Sequence, residues 1–289
     1  MCNASKSGCN ARLHYFSSRL FVLYVKKYFM KPRTIAIIQA RMSSTRLPGK
    51  VLLDIAGEPM LVRVIERAKR AKLVDDVVLA TTTDPSDDPV AEFCAERGYN
   101  FTCGSLNDVL DRYYQAAKEF NAEIIVRLTA DCPVLDPDIV DETIQVLGLR
   151  DQASGSGTPF DFVANRLPPP MGRSFPIGLD TEVCTFAALE NAWQNATEKH
   201  QREHVMPFLY ENTTLNTENR SLHTGISPRG FKIALFNHHP DYGALRWTVD
   251  TPEDLEFIRQ VFARFDHDDF GWKDILALLE KEPELAKIN

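Results

Sequence analysis

At 289 residues the chain can bury a substantial core, and one α/β domain carrying an elaboration is the natural size. Its 44% apolar and 25% charged residues are ordinary for a soluble globular protein. The net charge of −7 excludes a general attraction to nucleic acid or to anionic membranes, so an anionic ligand has to be held by local donors.

The first thirty residues differ from the rest. They carry basic and aromatic residues around a short apolar stretch, Leu20 to Val25, that is too short to span a bilayer and lacks the features of a secretory signal. Residues 1–30 are therefore expected to be a poorly ordered extension, with a weak membrane-surface contact as the alternative, and Met30 to open the folded domain. That domain is expected to run over 31–289 as one unit, with an elaboration at about 151–245. Cys2, Cys9, Cys94, Cys103, Cys132 and Cys184 form no Cys-x-x-Cys pair, which argues against structural zinc and for a reducing, cytoplasmic setting.

In chain order, Thr34–Ile38 is a short apolar run expected of a strand buried on both faces. A polar loop, Gln39 to Lys50, leads to a helix over Met60–Lys72, a strand over Val77–Thr81 and a helix over Pro89–Arg97. A short strand at Asn100–Thr102, a helix over Asp108–Phe120, a strand at Glu123–Leu128 and a helix over Pro137–Leu147 follow. Residues 151–173 are rich in Ser, Gly and Pro and show no periodicity. Beyond them, strands are expected at Leu179–Val183, Lys232–Phe236 and Arg246–Asp250, and helices at Phe186–Ala196, Gln201–Tyr210, Glu253–Phe265 and Trp272–Glu280. Alternating strands and helices imply a mostly parallel sheet covered on both faces, with ligands at the carboxyl ends of the strands.

The strongest chemical signal follows the first strand: Gln39-Ala40-Arg41-Met42-Ser43-Ser44-Thr45-Arg46-Leu47-Pro48-Gly49-Lys50. Its cations, hydroxyls and backbone amides suit phosphate oxygens, although its glycine spacing fits neither a Walker loop nor a dinucleotide fingerprint. Asp131 ends the run Arg127-Leu128-Thr129-Ala130 just before Cys132-Pro133, where a carboxylate suits Mg²⁺. Asp136, before Pro137, reads instead as a helix cap, and Cys132 as a small buried side chain. Asp250 precedes Thr251-Pro252-Glu253-Asp254, where Thr251 is expected to cap a helix. Asp108 and Arg112 stand at the spacing of a helical ion pair.

The loop resembles the R-x-x-S-T-R-L-P-G-K signature of the sugar-acid cytidylyltransferases, and is most similar to the spore-coat polysaccharide branch of that superfamily. The resemblance runs over most of Ile35 to Phe262. It implies a Rossmann-like nucleotide-diphospho-sugar transferase fold of the GT-A type with a smaller insertion lobe, and transfer of CMP from CTP to an anionic sugar-like acceptor with release of pyrophosphate. It implies that Arg41, Ser43, Arg46 and Lys50 contact the triphosphate, and that Asp131 and Asp250 hold Mg²⁺. Ala40 and Met42 of the same loop join the expected nucleotide contacts. The stretch Gly104-Ser105 to Tyr113 resembles one that borders the nucleoside in relatives, and Thr82 and Thr83 are candidate base or ribose contacts. Phe175–Val183 and Arg202-Glu203-His204-Val205 resemble two further elements of the branch. Arg127, Asp180, Glu182 and His204 are therefore candidate acceptor contacts, with structural charges as the equal alternative for Glu182 and Glu203. The family also implies a homodimer. The rival readings are a glycosyltransferase of related fold, whose D-x-D pair is absent at Asp131-Cys132-Pro133, and a non-catalytic nucleotide-binding protein.

Overall fold

Strand β1, Thr34–Gln39, is buried on both faces: Ile35, Ala36, Ile37 and Ile38 are all fully inaccessible. Ile35 and Ile37 pack into one apolar cluster and Ala36 and Ile38 into another. Each fully buried Ile contributes about 1.5–3 kcal/mol, which explains the unbroken apolar run where a one-faced strand would alternate. The computed structural model describes residues 31–148 and 160–289; the expectations for residues 1–30 and for the stretch 151–159 fall outside the described residues.

After β1 come a short hairpin, β2 (Asp54–Ile55) and β3 (Glu58–Pro59), then helix α1 (Met60–Lys69), β4 (Asp76–Thr82), α2 (Asp88–Arg97) and β5 (Asn100–Gly104). Helix α3 (Val109–Glu119), β6 (Ile124–Thr129) and α4 (Pro137–Gly148) complete the first half. The elaboration contributes β7 (Phe162–Ala164), a ribbon of β8 (Arg166–Leu167) and β9 (Gly172–Arg173), and β10 (Glu182–Thr185). Helices α5 (Phe186–Asn195), α6 (Lys199–His204) and α7 (Pro207–Tyr210) and strands β11 (Leu222–Ile226) and β12 (Lys232–Phe236) follow, and α8 (Pro252–Phe262) and α9 (Trp272–Lys281) close the unit Arg33–Asn289.

The main sheet has the order β11-β12-β7-β10-β6-β1-β4-β5. β5, β4, β1 and β6 are parallel; β10 and β11 run against their neighbours, and β7 and β12 pair in parallel. The chain steps from β1 out to β4 and β5 and then returns to the other side of β1 as β6. Such a reversal leaves a crevice at the carboxyl ends of β1 and β6, where open α/β sheets bind ligands.

The sequence-based boundaries need four corrections. Helix α1 stops at Lys69 because Asp141 of α4 takes the amides of Lys72 and Leu73, at 2.9 and 2.8 Å. The helix expected over Gln201–Tyr210 is broken by Val205, whose φ of 70° and following Pro207 divide it into α6 and α7. The strand expected at Leu179–Val183 lies two to three residues later, as β10. Arg246–Asp250 is extended but joins no strand; only a bridge of Ile177 to Arg246 pairs it.

Candidate functional site

The loop after β1 is closed on itself. The amides of Ser44 and Gly49 both donate to the Met42 carbonyl at 2.9 Å, and Gly49 can do so because it takes φ 70°, a backbone region that costs other residues strain. The Met42 amide is itself held by Asp87 at 2.6 Å, and Asp87 accepts the Thr82 hydroxyl. Thr82 and Met42 thus shape the loop from behind. The amides of Arg41, Ser43, Thr45 and Arg46 have no partner among the described residues and remain available to an anion.

Two remote carboxylates meet beside this loop. Asp131 follows β6, and its carbonyl accepts the Val249 amide at 2.8 Å and the Thr248 hydroxyl at 3.1 Å. Those two bonds dock the extended segment 246–250 against the tip of β6. Trp247 and Val249 are buried on one side of that segment, so Asp250 projects from the other. The capping box of α8 fixes it further: Thr251 accepts the Asp254 amide, while Asp254 accepts those of Asp250 and Thr251 at 2.8 and 3.0 Å. Asp136 likewise caps α4.

Lys50 joins the pair. Its ammonium donates to Asp131 Oδ2 at 3.0 Å, Asp250 Oδ1 at 2.9 Å and the Val249 carbonyl at 2.7 Å. Burial opposes the charge on Lys50, but Asp131 and Asp250 outweigh it and hold the ammonium above its usual pKa. Asp250 also meets Arg46 at 3.0 Å and Arg246 at 2.7 Å. Burial would raise its carboxyl pKa, yet Lys50, Arg246 and Arg46 together keep it below the ordinary range. Beside Asp131, burial pushes the Cys132 thiol far upward, so it stays protonated and serves packing.

A cavity of about 590 Å³ opens at this point. Ala40, Arg41, Ser43, Arg46, Lys50, Asp131, Asp250 and His204 all line it. Met42, Thr82, Thr83, Gly104 and Ser105 do not. The space beside Gly104 belongs to Arg112, whose Cγ a Cβ there would meet at 3.0 Å, and the Thr83 hydroxyl bonds the Gly104 carbonyl. The wall expected from these residues is made instead by Leu106, Asn107, Val109 and Arg112, with Lys199 and Glu203 opposite. Arg112 does not pair with Asp108. It donates to the Ser105 carbonyl at 2.7 Å, its Nε lacks a partner, and burial draws its pKa down. Asp108 caps α3 and is forked by Arg202, which leaves Arg202 a structural tie between α3 and α6.

The remaining acceptor candidates separate. Arg127 and Glu182 form a buried ion pair across β6 and β10 and line neither this cavity nor its neighbour. Burial opposes the Arg127 charge, and Glu182 more than restores it. Asp180 is forked by Arg173 at 3.0 and 3.3 Å and faces a second cavity. Arg112 belongs to the stretch that the resemblance placed beside the nucleoside, whereas Arg166 and Arg173 were the residues least visible in the sequence. A lone Arg in an aperiodic loop gives no signal until the fold turns it toward a cavity.

The sequence profile of the cytidylyltransferases matches residues 35–280. The chain belongs to the cytidylyltransferase family. An uncharacterized protein of Methanocaldococcus jannaschii is 35% identical over 260 residues, covering 89% of this chain and 94% of that one. The spore coat polysaccharide biosynthesis protein SpsF of Bacillus subtilis is 29% identical over 255 residues, covering 86% and 95%. Among solved structures, a cytidylyltransferase from Leptospira borgpetersenii superposes with a TM-score of 0.74 at 32% identity, covering 88% of this chain and 97% of that one. This cytidylyltransferase has the Rossmann-like fold expected of it, and no helix among the described residues is long and apolar enough to cross a membrane.

Proposed function

We propose that this chain transfers CMP from CTP to an anionic sugar or sugar-like acceptor in the cytoplasm, making a precursor of a surface polysaccharide or glycoconjugate. The observation that carries this reading is Lys50 seated between Asp131 and Asp250, beside a loop that offers free amides and two arginines. The acceptor oxygen would bond to the α-phosphorus as the bond from that phosphorus to the bridging oxygen breaks. The bridging electron pair leaves with pyrophosphate, and the hydroxyl proton passes to solvent. Arg41, Arg46, Lys50 and the free amides would bind and orient the phosphates and offset the charge that grows on the leaving group.

Asp131 and Asp250 fit a divalent ion such as Mg²⁺. Both are carboxylates that converge on one cation, the Lys50 ammonium, which would have to turn toward the phosphates to admit the ion; the described residues include no third acidic, His or Cys ligand, so phosphate oxygens and water would complete the shell. When bound, the ion supplies charge stabilisation to the phosphates. A homodimer belongs to the same reading, and light scattering that gave a monomer would remove it.

The test is pyrophosphate release with Mg²⁺ and each of CTP, UTP, GTP and ATP against a pool of sugar acids. Release should require CTP and an acceptor, and Asp131→Asn should abolish it while the protein remains folded. Full activity in that variant, or failure of CTP to bind the wild-type protein, would overturn the proposal.

A further inference from the structure

A second cavity of about 360 Å³ lies beside the first, and Thr129, Asp131 and Asp250 line both. A molecule in one therefore meets a molecule in the other across the two carboxylates. The rest of its wall comes mainly from the elaboration: Arg166 of β8, Arg173 of β9 and Asp180, with Arg246 and Thr248 alongside.

Its electrostatics are unusual. Arg166 and Arg173 stand directly opposite each other in the two-stranded β8–β9 ribbon, a register in which like charges repel. Arg173 is compensated by its two hydrogen bonds to Asp180, and Arg246 by Asp250 and Asp254. The side chain of half-buried Arg166 has no hydrogen-bond or ion-pair partner among the described residues. A structural ribbon would gain by replacing one of these arginines. An anion received by Arg166 would remove the conflict. The floor is rigid: Gly178, at φ 107°, lies so close to the segment 247–248 that a Cβ would meet Thr248 N at 2.7 Å.

We propose that this cavity is the acceptor subsite, and that its occupant is a small polyhydroxylated anion. Arg166 binds the anionic group by a forked, charge-assisted contact. Asp180, aimed by Arg173, accepts hydrogen bonds from the hydroxyls. The attacking hydroxyl then faces Asp131 and Asp250, with the α-phosphate on their other side. His204, which lines only the first cavity, is left to the nucleotide side.

The inference rests on CMP transfer as the reaction, and its test separates the two. The full chain, with Mg²⁺ and a non-hydrolysable CTP analogue, is titrated calorimetrically with 3-deoxy-manno-octulosonate, N-acetylneuraminate and glucose 1-phosphate. At least one probe should bind, and Arg166→Gln should weaken it about 10- to 100-fold while leaving the affinity for the CTP analogue within about twofold. Carboxylate probes binding best would identify the anion as a sugar acid, and the phosphate probe binding best would identify it as a sugar phosphate. Both results support the subsite. Binding of no probe, unchanged probe affinity in the variant, or an equal loss for the CTP analogue would overturn it. Failure of the CTP analogue to bind the wild-type protein would strike the reaction itself.

Discussion

At the scale of single residues, Lys50 bears two loads. Its ammonium is the common counter-charge of Asp131 and Asp250, and all three side chains are largely shielded from water. Lys50→Met would leave two carboxylates facing each other, at a cost of about 1–3 kcal/mol given their partial exposure. The pH dependence follows from the shifts. Asp250 is held below its usual 3.8, so its contribution is full above that value and fades as pH falls through the lower folded value. Lys50 is held above its usual 10.5, so its contribution is full below that value and is lost only at more alkaline pH. The stability gap between wild type and Lys50→Met, measured by urea unfolding, should therefore be wider at pH 7 than at pH 3. An equal gap at both would show that the loss is one of packing, not charge. Much of this cluster was legible beforehand, because Asp131 and Asp250 each sit at the end of an apolar run and Lys50 closes the basic loop after β1. Arg166 was not, because what distinguishes it is a side chain without a partner, and only coordinates display that.

At the scale of elements, the cap of α8 acts on chemistry as well as on the helix. Thr251 and Asp254 satisfy the first amides of α8, and the same Asp254 oxygen holds the amide of Asp250. Thr251→Ala should cost about 1 kcal/mol of stability, as caps do. It should also lower CTP-dependent turnover at temperatures where the protein is fully folded, because Asp254, whose carboxylate holds the Asp250 amide, loses the hydroxyl that fixes its own backbone. Thr251→Ser, which keeps the hydroxyl, should restore both. If turnover in Thr251→Ala tracked only the folded fraction, the cap would be structural alone. This cap could be read from the sequence, as could the long elements that alternate around it. The failures share another cause. β7 has three residues, and β11 carries Gly225 inside Leu-His-Thr-Gly-Ile, so neither shows a strand period; β7 exists through pairing with β10 and β12, and β11 through pairing with β12. The segment 246–250 does alternate, with Trp247 and Val249 inward, but it spends that pattern on docking to β6 instead of joining the sheet.

At the scale of the whole molecule, the first half and the elaboration join where β10 runs antiparallel to β6, and one buried ion pair spans that seam. Arg127 and Glu182 are directly opposite in register, and Arg127 also reaches Gln39, at the end of β1, at 3.2 Å. The pair faces the cluster that holds Tyr113, whose ring lies 6.0 Å from the Arg127 guanidinium. The sequence made Arg127 an acceptor candidate and left Glu182 open between acceptor binding and structural charge; their absence from both cavities favours structure for both. That choice has a measurable form. Arg127→Met leaves Glu182 buried without a counter-charge and should destabilise the chain by about 3–5 kcal/mol. Glu182→Met should do the same to Arg127. The double variant restores an apolar seam of similar volume, and should recover most of that loss. In the double variant, the acceptor KM should stay within about twofold of wild type at temperatures where the protein is folded. A large rise in acceptor KM with stability restored would return Arg127 and Glu182 to the acceptor site. It would also mean that this seam between the two halves, and not the β8–β9 ribbon, reads the substrate.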